Sequence, residues 1–218
     1  MTDKAKASRE KILLNEESFS YLFFEGSSPQ NPIIFFHATG LNAATYLNLL
    51  TKIFEDFDGE RSIYAFDQRG HGLSLAEADH TKLKSWKQFS KEAISFLNSL
   101  DHESVDLMGH SMGGIVASEV ASQLKLKVQN LIMLEPVLYY SPKDVIKLKL
   151  KNFLKFDDLS ASNKSLSAKQ RRNNFASFEE AIEHFTGRAM FASWPEESIM
   201  NYLEGGLVKK EGSFLSLI

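Results

Sequence analysis

The stretch Gly109-His110-Ser111-Met112-Gly113-Gly114 limits what this chain can fold into more than any other. An apolar run, Ser104 to Met108, leads into it, and apolar side chains at helical spacing, Ile115, Val116, Val120 and Leu124, lead out. Strand, sharp turn and helix in that order make the pattern Gly-x-Ser-x-Gly a nucleophile elbow, a strained turn that lifts a serine hydroxyl to the top of a sheet. Strand and helix approach so closely there that a Cβ at position 109 or 113 would clash, and Gly114 relieves the next contact. A glycine-rich turn without chemistry shares the same letters. The flanks decide for the elbow, so Ser111 is the residue to explain.

Upstream, Lys11 to Leu14 and Ser18 to Phe24 read as an antiparallel edge hairpin joined by Asn15-Glu16-Glu17. Pro32 to Phe36 is a continuous apolar run that suits a buried parallel strand, and it opens into the loop His37-Ala38-Thr39-Gly40. A helix with Tyr46, Leu49, Leu50, Ile53, Phe54 and Phe57 on one face comes next. Then follow a strand from Ser62 to Phe66, the loop Asp67 to Ser74, and a second helix marked by Trp86, Phe89, Ala93, Phe96, Leu97 and Leu100. After the elbow helix, Val128 to Leu134 is a last apolar run, closed by Glu135-Pro136. This alternation predicts an α/β fold with a mostly parallel, doubly wound sheet, whose site lies in the loops at the carboxyl ends of the strands.

From Ser141 the pattern changes to helices without strands: Val145 to Leu154, a segment starting at Phe178, and a third starting at Trp194-Pro195, with a polar connection from Ser160 to Lys169. The expected organisation is a core over residues 1–140 and, over 141–218, an all-helical cap with the start of a return to the core. Between Ser141 and Arg172 nine Lys/Arg stand against three Asp/Glu. That excess suits either a solvated helix face or a cap favouring anionic substrates or lipid headgroups.

Composition narrows the function classes. A net charge of −3 gives no pull toward nucleic acid, and the absence of cysteine excludes disulfides and cysteine metal sites. The polar start, Met1 to Lys6, and the lack of about 18 consecutive apolar residues argue against a leader or a stable membrane insertion. A cytoplasmic location is the expectation; oligomeric state stays open.

With three loops in hand, the sequence resembles the α/β-hydrolase superfamily, and within it the capped esterase and epoxide-hydrolase-like members. The resemblance rests on His37-Ala38-Thr39-Gly40, on Asp67-x-Arg69-Gly70-His71-Gly72-x-Ser74, and on the elbow, with the stretch from Arg171-Arg172-Asn173-Asn174-Phe175 to Trp194 resembling the cap. It implies that Ser111 is the nucleophile and that the oxyanion donors are the backbone N–H of Met112 and one from Thr39 or Ala38. Ala38 stands where relatives usually have glycine. His37, His71, His110, Asp67 and Arg69 match positions that hold loops in place. His80 and His102 fall in polar connections and are expected to be solvated; His184 belongs to a cap helix, as a surface residue or a substrate contact.

Glu135 ends the sixth strand, where some relatives place the triad acid and where a carboxylate also suits a plain strand end. Phe153, Phe156, Phe175, Phe185, Phe191 and Trp194 suit an apolar acyl or alcohol pocket and, equally, cap-core packing. The implied chemistry is acyl transfer on a small ester-like substrate through an acyl-enzyme on Ser111, with no cofactor and no metal. Serine, not aspartate, at 111 disfavours the alkyl-enzyme route. Only six strands are legible where the superfamily has eight. The reading is therefore of a chain that lacks the last strands and the triad histidine, is inactive alone, and exposes an apolar edge at its sixth strand. The alternative is a non-catalytic relative that keeps a ligand pocket.

Overall fold

The computed structural model describes residues 7–28, 31–79, 85–137, 143, 172–210 and 213–216. The segments expected around Val145 to Leu154 and Ser160 to Lys169, with Phe153, Phe156, His80 and Arg171, lie outside the described residues.

Strands β1 (Ser8–Leu14) and β2 (Glu17–Phe24) form the expected hairpin, turned by the positive φ of Asn15 and Glu16. They precede β3 (Ile33–Phe36), helix α1 (Leu47–Asp56), β4 (Ile63–Phe66), α2 (Lys87–Ser99), β5 (Ser104–His110), α3 (Met112–Gln123) and β6 (Lys127–Leu134). The six strands lie in the order β1-β2-β4-β3-β5-β6. β2 runs antiparallel to β4, and β4, β3, β5 and β6 are mutually parallel. The sheet is the mixed, mostly parallel one expected, and the carboxyl ends of β3, β4, β5 and β6 open on one side.

β3 shows why its run is unbroken. Ile34 and Phe36 pack with Phe96 and Leu97 of α2 and Val116 and Val120 of α3, while Ile33 and Phe35 point to the other face against Leu50, Ile53 and Phe54 of α1. A strand covered on both faces has no polar side to show. α1 is less buried than its pattern implied: Leu49 and Phe57 are each 41% exposed, so the apolar stripe is wider than the contact it makes.

The second part departs from the all-helical expectation. β7 (Asn174–Phe175), α4 (Phe178–Phe185), a 3-10 turn (Ala189–Phe191), α5 (Glu196–Glu204), β8 (Leu207–Lys210) and β9 (Ser213–Ser216) include a small antiparallel sheet of order β7-β9-β8. Phe214 to Ser216, read as the approach to a return into the core, pair instead with β7 and β8. These strands hold four residues or fewer, too few for a period-2 alternation to stand out beside helical spacing. α4 begins as its sequence indicates, with the Ser177 hydroxyl accepting from the N–H of Glu180 and two glutamates in the first turn. Phe175, Phe185, Phe191, Ile199 and Tyr202 form one apolar cluster with Ala38 and Leu41, which seats this part on the loop after β3. The Asn42 amide donating to the Tyr202 carbonyl at 2.8 Å fixes the junction.

Candidate active site

Ser111 sits between β5 and α3 with φ 53° and ψ −114°. A non-glycine residue held there is strained, and such strain survives only where its surroundings enforce it. Two contacts do so. The Ser111 N–H donates to the Leu134 carbonyl at 2.9 Å, and the Ser111 carbonyl accepts from the Gly114 N–H at 3.1 Å. A Cβ on Gly109 would collide with the Gly113 carbonyl, and one on Gly113 with the Phe36 carbonyl, as the elbow reading required. Gly114 is less constrained, since a Cβ there would lie 3.3 Å from the Gly109 carbonyl oxygen.

The Met112 N–H opens α3, where unpaired amides and the helix dipole favour negative charge. Opposite, the loop after β3 meets the elbow through the Thr39 hydroxyl, 3.1 Å from Met112 Sδ. The two loop amides differ: Ala38 N–H donates to the Tyr46 hydroxyl at 3.2 Å, whereas Thr39 N–H has no hydrogen-bond partner among the described residues.

Two of the motif histidines are hydrogen-bonded within the loops. His37 is fully buried; its Nε2 accepts from Gln68 N–H at 3.0 Å, so its proton sits on Nδ1 and is donated to the Ala38 carbonyl at 2.9 Å. His71 donates from Nδ1 to the Arg69 carbonyl at 2.9 Å and packs 5.0 Å from the His37 ring. Burial drives the pKa of both down to about 4, so both are neutral near pH 7. Asp67 accepts from Ala43 N–H at 2.8 Å, Leu73 N–H at 3.1 Å and Arg9 at 2.7 Å, lashing three loops together. Arg69 binds Glu92 at 2.6 Å and pairs bidentately with Glu17. Neither touches the elbow serine. His102 is half-buried rather than solvated, 3.3 Å from the Tyr64 hydroxyl, and burial lowers its pKa.

His110 Nδ1 lies 2.7 Å from the Tyr46 hydroxyl, and its Nε2 lies 3.9 Å from Glu135 Oε2. Glu135 has φ 42° and a side chain 93% exposed. It is brought to His110, and no described histidine ring bonds the Ser111 hydroxyl. His184 packs at a tilt against Phe175 and edge-on against Phe185.

Beside the elbow lies a cleft of about 300 Å³, lined by Leu41, Thr45, Tyr46, His110, Trp194, Pro195 and Ser198. Trp194 is therefore a pocket residue. Phe191 is buried behind it, ring to ring at 4.9 Å, and backs the wall without lining it; Phe175 and Phe185 are core. Tyr46 and His110 were not foreseen as pocket residues. Tyr46 read only as one member of an apolar helix face, and nothing in its spacing marks where its hydroxyl goes.

Comparison with known proteins agrees with this fold. A family model described as serine aminopeptidase, S33, matches residues 27–192. The chain belongs to this family, within the α/β-hydrolase superfamily. Among similar proteins, an abhydrolase domain-containing protein of Schizosaccharomyces pombe is 26% identical over 156 residues, covering 65% of this chain and 42% of the relative. The 1-acylglycerol-3-phosphate O-acyltransferase of Rattus norvegicus is 27% identical over 121 residues, covering 54% and 33%. The chain thus spans less than half the length of these relatives. The crystal structure of E-2-(acetamidomethylene)succinate hydrolase superposes with a TM-score of 0.71 at 18% identity, covering 97% of this chain and 69% of that one, a likeness of fold. No helix among the described residues is long and apolar enough to cross a membrane.

Proposed function

We propose that this chain carries the nucleophile of a serine hydrolase that acts on a carboxylic ester or related acyl compound. The observation behind this reading is the backbone of Ser111, strained at φ 53° and ψ −114° and enforced by glycines whose only evident job is to permit it. In the proposed reaction Ser111 Oγ attacks the acyl carbon, its proton passing to a base, and the carbonyl oxygen becomes an oxyanion facing the Met112 and Thr39 amides. Collapse breaks the bond to the leaving alcohol, which takes up the proton, and water then hydrolyses the acyl-enzyme. Each oxyanion donor is worth about 2.7–4 kcal/mol by analogy with a studied protease. The 300 Å³ cleft would hold the apolar acyl or alcohol group against Trp194 and Leu41.

A second reading, a ligand-binding relative without turnover, draws on one observation: none of the five described histidines bonds Ser111. His37 and His71 are committed to their loops, His102 to Tyr64, His184 to Phe175, and His110 to Tyr46. On this ground the chain alone should show little beyond the residual catalysis of an oxyanion hole. The test is hydrolysis of short p-nitrophenyl esters by the 218-residue chain and its Ser111→Ala variant, with mass-spectrometric mapping of a fluorophosphonate adduct. An adduct on Ser111 with slow, Ser111-dependent turnover is expected. An adduct on another serine with Ser111 clean would overturn the assignment, and fast turnover would overturn the claim of weak activity.

A further inference from the structure

Two amides of the loop after β3 could face an oxyanion, and the sequence leaves the choice between them open. Tyr46 resolves it. It ends the 3-10 turn Ala43–Tyr46, its ring packs 4.6 Å from that of Phe35, and its hydroxyl sits where the β3 loop and the elbow meet. That hydroxyl accepts from Ala38 N–H at 3.2 Å and lies 2.7 Å from His110 Nδ1. Were Nδ1 protonated, the tyrosine's own proton would have no acceptor here. With the proton on Nε2, Tyr46 donates to Nδ1, every group is satisfied, and the Nε2–H faces the Glu135 carboxylate 3.9 Å away.

We infer that Tyr46 is the positioning residue of the oxyanion site: its hydroxyl withdraws the Ala38 amide, leaves the Thr39 amide as the loop's donor opposite Met112, and locks His110 as the Nε2–H tautomer. The inference rests on the acyl-transfer reading for its purpose but on hydrogen bonds for its content. Burial raises the Tyr46 pKa, which keeps the hydroxyl protonated and able to donate across the working range. The arrangement ties the ends of β3, β5 and β6 through one short chain, from the Ala38 amide through Tyr46 and His110 to Glu135.

Tyr46→Phe removes the hydroxyl and keeps the ring against Phe35, so its thermal melt should stay close to the parent's, whereas Tyr46→Leu also loses the ring and reports the packing separately. In ¹⁵N-labelled protein, Ala38 should exchange its amide proton at least tenfold more slowly in the parent than in Tyr46→Phe, with Thr39 exchanging fast in both. Long-range ¹H–¹⁵N spectra should show His110 as the Nε2–H tautomer in the parent and a tautomer mixture in the variant. Fluorophosphonate labelling of Ser111 should slow by about tenfold in Tyr46→Phe, less than the hundredfold or more that follows outright loss of a donor. Equal Ala38 exchange in the two proteins, or an unchanged His110 tautomer, would overturn the inference. If Ser111 is unlabelled even in the parent, the acyl-transfer reading falls, while the exchange and tautomer measurements still decide what Tyr46 does.

Discussion

At Ser111 the cost of function is visible in one pair of torsions. A side chain held at φ 53° and ψ −114° stores on the order of 1–3 kcal/mol, and glycine is the one residue that tolerates positive φ freely. Ser111→Gly should therefore melt above Ser111→Ala, by about 1 kcal/mol once the larger backbone entropy of glycine is deducted; equal melts would mean that the elbow is not strained. Arg69 makes the opposite case. It compensates Glu92, which is 3% exposed, and Arg69→Met would leave that carboxylate buried with only Gln88 beside it. A loss of about 3–5 kcal/mol in chemical denaturation is expected, and a change below 1 kcal/mol would show that Glu92 takes up a proton and is indifferent to its partner. Both residues were legible in the sequence because motif spacing names them. Tyr46 was not, since a hydroxyl that bridges two loops leaves no periodic trace.

At the scale of elements, alternation of strands and helices carried the core, and the hairpin, the buried β3 and the amphipathic α2 all stand where their patterns put them. The small β7-β9-β8 sheet escaped notice because its strands are too short to outweigh the helical spacing around them, and because its β7–β9 pairing joins residues some forty positions apart, Asn174 with Leu215, although β8 and β9 form a tight hairpin. β6 is the element most open to manipulation. It lies at the end of the sheet order, and Leu131, Ile132 and Met133 are 39%, 42% and 38% exposed. Edge strands with apolar side chains invite pairing with other chains, and a lysine on such a strand discourages it. Ile132→Lys should lower self-association in sedimentation at high concentration while leaving the melting temperature within a degree or two. A large drop in stability would show that Ile132 is covered by residues outside those described.

For the molecule as a whole, the paired imidazoles of His37 and His71 set an acid limit. Both have folded pKa values of about 4, below the ordinary 6.5 of an unfolded histidine. Between those values the unfolded chain binds protons that the folded chain refuses, so stability must fall as pH drops from 6.5 toward 4 and level off for these groups below that. The pair should contribute a loss on the order of several kcal/mol, and His37→Gln, which keeps an acceptor for Gln68, should flatten the profile in urea titrations at successive pH values. A profile unchanged by that substitution would place the acid sensitivity elsewhere. The cleft, finally, has His110 of β5 at its base and two separate stretches as walls: Leu41 to Tyr46 belongs to the loop that serves the elbow, whereas Trp194 to Ser198 contributes nothing to the main sheet. The far wall is thus an interchangeable part, and exchanging those five residues would let one scaffold be re-tooled for bulkier or slimmer guests with its nucleophile undisturbed.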